Sequence, residues 1–230
     1  MARLLIALLV VGSLNKSSVQ GADSDEGVKD PDPEGEIAAL GGRVFKSPAT
    51  GEIVEVKLNG SGNLSDEDLV LVSGCSSLTD LSLEHTSITG SGLIHLGRLR
   101  KLEWLNLWHT AIEDKELVHL SVLHSLQYLP VGGTRITDAG LEHLRNLPAL
   151  IYLGLRDTEI TDAGVAKLTR LPALREINLR GTKVTDECVS SLVRMKGLRK
   201  VWLGQTRVSI RGLDQLRAKL PLCKVDLAED

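Results

Sequence analysis

Histidine, aspartate and cysteine recur in this chain at spacings that invite a search for chemistry. His85 and His109 stand 24 residues apart, with Glu84 beside the first. Two imidazoles and a carboxylate suit a transition-metal ion. The pair falls on a turn edge, however, with no fourth ligand and no second shell, so no metal site is expected there. His95, His119 and His143 keep the same interval and form a column on helical segments. No carboxylate or thiolate converges on that column, and it reads as solvated or partly packed side chains. Asp138, Asp162 and Asp186 form a carboxylate series, but each follows a threonine. Thr-Asp at a helix start is a cap: the hydroxyl accepts from an orphan N–H and the acid favours the positive end of the dipole. Cys75, Cys188 and Cys223 contain no C-x-x-C and no disulfide framework. Cys75 takes a leucine position in the pattern described below and reads as a buried thiol; Cys223 can be exposed. No G-x-S-x-G, H-E-x-x-H, phosphate-binding loop or dinucleotide fingerprint occurs. The chain is expected to be no enzyme and to need no cofactor.

The elements that carry these residues follow from a repeat. Leu78, Leu102, Leu126, Leu150, Leu174 and Leu198 fall in strict 24-residue register, and so do Thr86, Thr110, Thr134, Thr158, Thr182 and Thr206. Each unit reads approximately L-x-x-L-x-L-x-x-T-x-I-T-D-x-G-L-x-x-L-x-x-L. In Leu102–Leu107 the closing leucines alternate with polar or aromatic residues, which predicts a strand with one buried face. Leu141, Leu144 and Leu147 recur at helical spacing after the Thr137-Asp138 cap. Thr161-Asp162, Thr185-Asp186 and, in the first unit, Ser65-Asp66 repeat that cap. No unit buries its leucines alone, so neighbours must stack. The threonine ladder sits in the bend after each strand, where a hydroxyl bonds turn backbone, and reads as a row of buried spacers.

A fixed period in this range with L-x-x-L-x-L resembles the leucine-rich repeat. The expected fold class is α/β: a right-handed αβ superhelix with a parallel β-sheet on its concave face and short helices on its convex face. Residues 78–221 hold six 24-residue repeats. Residues 36–77 form an N-terminal cap and a degenerate first repeat, with one residue inserted between Leu58 and Leu64. Within that region Glu34–Leu40 predicts a short helix, and Arg43–Lys46 pairs with Ile53–Leu58 across a turn. Residues 222–230 supply a C-terminal strand and tail; Leu222, Val225 and Leu227 keep the register and are expected to close the array. Ahead of all this, Arg3 and the apolar run Leu4–Val11 resemble an export signal over residues 1–22, too short for a membrane span. Residues 23–35 are acidic and nearly without apolar groups, which predicts a disordered linker.

The pattern at Thr134–Leu144 and Thr158–Leu168, with the preceding Ile37–Val44, resembles bacterial exported leucine-rich-repeat proteins. The repeats are also similar to those of F-box leucine-rich-repeat proteins, the substrate receptors of SCF ubiquitin ligases. Those carry cysteine where this chain has its threonine ladder, and residues 1–52 hold no F-box. The resemblance implies protein binding and nothing narrower, because the fold hosts many roles.

Stacked strands would set their outward residues in rows. The first row is Asp80, Trp104, Tyr128, Tyr152, Glu176 and Lys200; the second is Ser82, Asn106, Pro130, Gly154, Asn178 and Trp202. A third is Glu84, Trp108, Gly132, Arg156, Arg180 and Gly204. Every tryptophan and tyrosine of the protein falls in these rows, although core aromatics would take leucine positions. Trp, Tyr and Arg dominate binding hot spots. The expected partner-binding residues are therefore Trp104, Trp108, Tyr128, Tyr152, Arg156, Arg180 and Trp202. Gly132 and Gly133 should leave a dent between Trp108 and Arg156, and the two arginines would flank it, ready for a carboxylate. The bland alternative is a structural aromatic ladder across the strands.

Lys+Arg against Asp+Glu runs 6 to 12 over residues 1–77, 6 to 8 over 78–149 and 15 to 10 over 150–230. The molecule is thus acidic at one end and basic at the other, without the basic footprint of a nucleic-acid binder. The resulting expectation is an exported, monomeric, non-catalytic module, periplasmic or extracellular, that docks a protein partner. The alternatives are an SCF-type adaptor, cytoplasmic if the N-terminus is no export signal, and a glycan-binding module in which aromatic faces stack on sugar rings.

Overall fold

The computed structural model describes residues 32–227. The expected export signal, and the expected linker up to residue 31, lie outside the described residues. Helix α1 (Pro33–Ala39) begins inside the stretch expected to be linker. Proline at the first helical position lacks only an N–H that the helix would leave unbonded anyway. Behind α1 come the hairpin strands β1 (Arg43–Lys46) and β2 (Ile53–Lys57). One three-residue strand per turn then follows: β3 (Asp80–Ser82), β4 (Trp104–Asn106), β5 (Tyr128–Pro130), β6 (Tyr152–Gly154), β7 (Glu176–Asn178), β8 (Lys200–Trp202) and β9 (Lys224–Asp226). All join one nine-stranded sheet in sequence order. Only β1 and β2 pair antiparallel; every later pair is parallel.

The return segments on the opposite face vary in winding. They are 3-10 over Gly90–Arg98 and Lys115–Val122. They are α-helical in α2 (Val70–Ser73), α3 (Leu141–Leu144), α4 (Asp162–Lys167), α5 (Cys188–Arg194) and α6 (Ile210–Lys219). Between the two faces lies a core of leucine: Leu81, Leu83, Leu105, Leu107, Leu129, Leu153 and Leu155 are fully buried from the strand side. Leu96, Leu120, Leu144 and Leu168 meet them from the helical side. Burial of each such side chain contributes about 1.5–3 kcal/mol.

The threonine ladder does one thing throughout. Thr86, Thr110, Thr134, Thr158, Thr182 and Thr206 each donate a hydroxyl bond of 2.6–2.7 Å to the carbonyl three residues earlier. Each bond closes the bend in which the chain leaves the sheet. Just before it, the backbone takes a left-handed conformation in every turn, at Gly60, His85, His109, Gly133, Asp157, Gly181 and Gln205. Glycine alternates there with side chains for a packing reason. A Cβ on Gly133 would lie 2.6 Å from His109 Nδ1, and one on Gly181 would lie 2.0 Å from Asp157 Oδ1.

Two expectations change at the C-terminal end. Strand β9 pairs with β8 but does not seal the array: Leu222 is 78% exposed and Leu227 40%, though both occupy core positions of the repeat. Cys223, in contrast, is buried.

Candidate protein-binding face

The strand registers set the outward residues in rows. Asp80, Trp104, Tyr128, Tyr152, Glu176 and Lys200 are successive Cα partners. Pro130, Gly154, Asn178 and Trp202 form a parallel row beside them. None of the aromatic residues enters the leucine core: Tyr128 is 40% exposed, and Trp104, Trp108, Tyr152 and Trp202 are half-buried. Among the described residues no ring contact joins Trp104 or Tyr128 to another ring.

The others are braced. Trp108 packs edge-on to His85, with centroids 5.1 Å apart, and lies 4.4 Å from the His109 ring. His85 and His109 stack on one another at 4.8 Å with 12° between planes. Glu84 is turned away from them to accept a bond from Asn106 Nδ2. Two flat, face-to-face rings with no carboxylate between them form a wall behind Trp108, and no group of three or more metal-ligating side chains converges among the described residues. Tyr152 and Trp202 reach across β7 and meet edge to face at 6.0 Å. Lys200 Nζ sits 3.9 Å above the Trp202 ring, a cation–π contact.

A depression of about 200 Å³ opens between these groups, lined by Asn106, Trp108, Pro130, Gly132, Tyr152, Gly154, Arg156 and Asn178. Its floor is nearly bare backbone. A Cβ on Gly132 would come within 2.7 Å of the Arg156 carbonyl and 3.0 Å of the Trp108 ring; one on Gly154 would come within 2.9 Å of Tyr152 Oη. Pro130 has no N–H for the ladder, and the register between β4 and β5 shrinks to the single pair Trp104–Tyr128. The hollow thus includes Gly132 between Trp108 and Arg156, as expected, and extends toward β6, whereas Gly133 lies outside its lining beside the His109 ring.

The polar groups of the hollow are largely spent on one another. Asn106 Oδ1 accepts the Trp108 N–H at 3.0 Å, and Asn178 Oδ1 accepts the Arg180 N–H at 3.0 Å. The Asn178 side chain also bonds the Tyr152 hydroxyl. Burial raises the Tyr152 pKa; the Asn178 bond opposes the rise and nearby Glu176 adds to it. The phenol therefore stays neutral at physiological pH. Arg156 stands at the rim, donating from Nε to Asp157 Oδ2 at 3.1 Å. Arg180 departs from the expected exposed flank. It is only 7% exposed, with Nε directed at Gln205 Oε1, 3.3 Å away.

The helical face holds a device that the repeat pattern does not announce. Asp66, Asp114, Asp138, Asp162 and Asp186 each reach into the next turn and grip its Thr or Ser. Each accepts the backbone N–H of Thr89, Thr137, Thr161, Thr185 or Ser209 at 2.7–2.9 Å, and the hydroxyl of the same residue as well. Thr137, Thr161 and Thr185 then cap their own segments, as expected, by accepting the N–H two residues on. Ser65 instead donates, to Asp68. The glycine of T-D-x-G makes room for the clamp: a Cβ on Gly140, Gly164 or Gly212 would lie 2.2–2.5 Å from the preceding aspartate's Oδ1. The aspartates are thus occupied in tying turns together. The thiols are equally unsuited to chemistry. Burial, with help from Asp162 and Asp186, pushes Cys188 up to about 12, and burial raises Cys75 and Cys223. Such thiols are inert.

A leucine-rich-repeat family model matches residues 74–97. Among solved structures the chain is similar to internalin C2 from Listeria monocytogenes: 19% identity over 85% of this chain and 92% of that one, with a TM-score of 0.59. The fold is a leucine-rich-repeat solenoid. An internalin F of the same organism matches 77% of this chain and 62% of its own at 22% identity, with a TM-score of 0.47. No curated protein matches the sequence significantly. No helix among the described residues is long and apolar enough to cross a membrane.

Proposed function

We propose that the solenoid is a non-catalytic module that docks a protein partner on its outward sheet face, around Trp104, Trp108, Tyr128 and Tyr152, with Arg156 and Trp202 at the margin. The observation that carries this reading is that all five Trp and Tyr residues lie on that face, outside the leucine core, and two of them, Trp108 and Tyr152, line its hollow. Exposed aromatic clusters mark interaction surfaces, and Trp, Tyr and Arg carry most hot-spot energy. Arg180 contributes from beneath, holding the β7–β8 turn through Gln205. A protein side chain suits the hollow better than a sugar does. The side-chain amides of Asn106 and Asn178 already bond the protein, whereas sugar hydroxyls need open polar partners. The apolar run at residues 4–11 supports an exported, extracytoplasmic setting.

The test replaces Trp104 and Tyr128 by Ala together, since neither ring braces a neighbour. The expected outcome is unchanged thermal stability with loss of the proteins that wild type cross-links through a photoreactive group at Tyr152. Unfolding of the double variant would make the two rings structural. Retention of the same cross-linked partners would move the docking surface elsewhere.

A further inference from the structure

The two ends of the solenoid are finished differently. At the N-terminal end α1 and β1 cover the first turn, and its core residues Ile37, Leu58 and Leu64 are buried. At the C-terminal end α6 buries Leu213, Leu216 and Leu220 beneath a polar outer surface. Nothing among the described residues covers the strand beside it. Leu222 and Leu227 lie open, and β9 is the edge of the sheet. Within β9, the Lys224 N–H bonds Arg199 O and the Asp226 carbonyl receives Leu203 N–H. Residues 224 and 226 thus turn their backbone toward β8, which leaves the N–H and C=O of Val225 directed outward. Among the described residues the array is uncapped at this edge, and an unpaired strand edge recruits a partner strand.

We propose that this edge pairs with the same edge of a second copy of the chain, antiparallel and two-fold symmetric about Val225. The sequence Lys224-Val225-Asp226 is self-complementary in that arrangement. Val225 exchanges both backbone bonds with Val225 of the second copy. Lys224 and Asp226 already pair within one chain, Nζ to Oδ2 at 4.0 Å. Across the axis Lys224 of each copy also falls directly opposite Asp226 of the other, in a non-hydrogen-bonded pair where side chains are closest. On the core side Leu227 of each copy falls opposite Cys223 of the other. The opposite edge has no such property: β1 is Arg-Val-Phe-Lys, and with no acid in the strand no two-fold pairing of it is complementary in charge. The contact is isologous and closes at two copies instead of propagating into a fibre. A three-residue strand with two flanking leucines falls below the area of roughly 1,000 Å² that a stable interface buries, so a reversible, concentration-dependent dimer is expected.

Sedimentation equilibrium on the full chain tests this with a charge swap. Wild type should pass from monomer to dimer with concentration. Lys224→Asp places two acids opposite two acids, and Asp226→Lys places two bases opposite two bases. Each variant alone should show a dissociation constant raised about tenfold or more. Mixed in equal amounts they should recover association as a heterodimer, because the new acid at position 224 of one chain then faces the new base at position 226 of the other. A variant that merely misfolds at β9 cannot be rescued by mixing. Wild type that stays monomeric, single variants that dimerise as wild type does, or a mixture that fails to associate would each overturn the proposal. The contact is confined to the edge strand and lies four strands or more from Trp104 and Tyr128, so the Trp104→Ala, Tyr128→Ala variant should dimerise normally.

Discussion

The junction between the turn of β3 and the turn of β4 is built unlike its neighbours. Elsewhere on the helical face an aspartate crosses to the next turn and holds a Thr or Ser by its N–H and hydroxyl, above a small residue that leaves it room. Here Gly90 stands where the aspartate should be and Glu113 where the threonine should be, and no clamp forms. The small and large partners have changed places. Glu116 takes the position that glycine holds in T-D-x-G, and its side chain lies over Gly90, so close that a Cβ there would be 2.1 Å from Glu116 Cβ. Volume is conserved across the junction and hydrogen bonding is not: Glu116 Oε2 is buried without a partner. Stacking of turns therefore needs the space filled, and the clamp adds strength to a contact that packing alone can maintain.

Removing a clamp should have the largest effect. Asp138→Ala deprives Thr161 of two bonds to a carboxylate, one to its N–H at 2.9 Å and one to its hydroxyl. Hydrogen bonds to charged groups contribute about 1.5–3 kcal/mol, so a loss of about 3 kcal/mol is expected for the pair. At about 2–4 °C per kcal/mol for a chain of this size, Tm should fall by about 6–12 °C. Glu113→Ala, at the unclamped junction, removes only a surface pair with Arg135 and should shift stability by under about 0.5 kcal/mol. Calorimetry of both variants decides the matter. Equal shifts would mean that the clamp is ornamental.

The fold was legible in the sequence because its determinants are periodic and local. Leu78, Leu102 and their equivalents fix the strands, and Thr86, Thr110 and theirs close the bends, each within three residues of the carbonyl it bonds. The face on which the aromatics lie followed from alternation in one strand and stacking of identical turns. The clamp was not legible as such. Asp138 reads as an ordinary first-turn acid in its own turn, while its partners Thr161 and Gly164 lie in the next. The available signal was the 26-residue offset between aspartate and glycine, and its reversal at Gly90 and Glu116. The site was legible in outline and wrong in detail for a different reason. The orientation of Arg180 toward Gln205 and the lean of Trp108 over Gly132 depend on side-chain rotations that spacing does not constrain. The open end at Leu222 was missed because register places a residue in a core position without showing whether anything lies beyond it.

Cys188 offers a second way to sharpen the contrast, since it stands where other clamped junctions have glycine. Its thiol, buried between Asp162 and Asp186, titrates only near about 12. In the unfolded chain it would ionise near the ordinary thiol value. The folded state therefore binds the proton more tightly, and its advantage is complete at neutral pH and lost as pH rises from about 9 toward 12. Each tenfold difference in proton affinity corresponds to about 1.36 kcal/mol, so by about pH 11 the loss should reach about 2.5 kcal/mol. Denaturant midpoints measured from about pH 8 to 11 should fall more steeply for wild type than for Cys188→Ala. Parallel curves would show that neither burial nor the flanking aspartates raise the thiol.

Rebuilding the missing clamp should produce a gain of moderate size. Gly90→Asp, Glu113→Thr and Glu116→Gly together restore the arrangement seen around Asp138, Thr161 and Gly164, and remove a buried oxygen that has no partner. The expected stabilisation is about 1–2 kcal/mol, within the range that added caps and relieved polar groups give. The single change Gly90→Asp should destabilise, because its Cβ collides with Glu116. A triple variant less stable than wild type would mean that the Gly90–Glu116 exchange is itself the better solution at this junction.

The last clamp should show the smallest effect, and a pH-dependent one. Asp186 accepts the Ser209 hydroxyl and N–H, and these bonds hold its carboxyl below the usual value, with Arg211 adding slightly. A lowered carboxyl contributes stability that is fully present above the unfolded value and is lost as pH falls through the folded one. Acidification from about pH 5 toward pH 3 should therefore lower Tm slightly more for wild type than for Asp186→Asn, whose amide oxygen still accepts from Ser209 but does not titrate. Because the Ser209 bonds lower the carboxyl and the Arg211 charge adds only slightly, salt at about 1 M should leave most of the difference in place, as it should the deficit of Asp138→Ala. A difference that salt erases would place the contribution of Asp186 in the charge of Arg211 instead of the Ser209 bonds, and would set the exposed clamp apart from the half-buried ones.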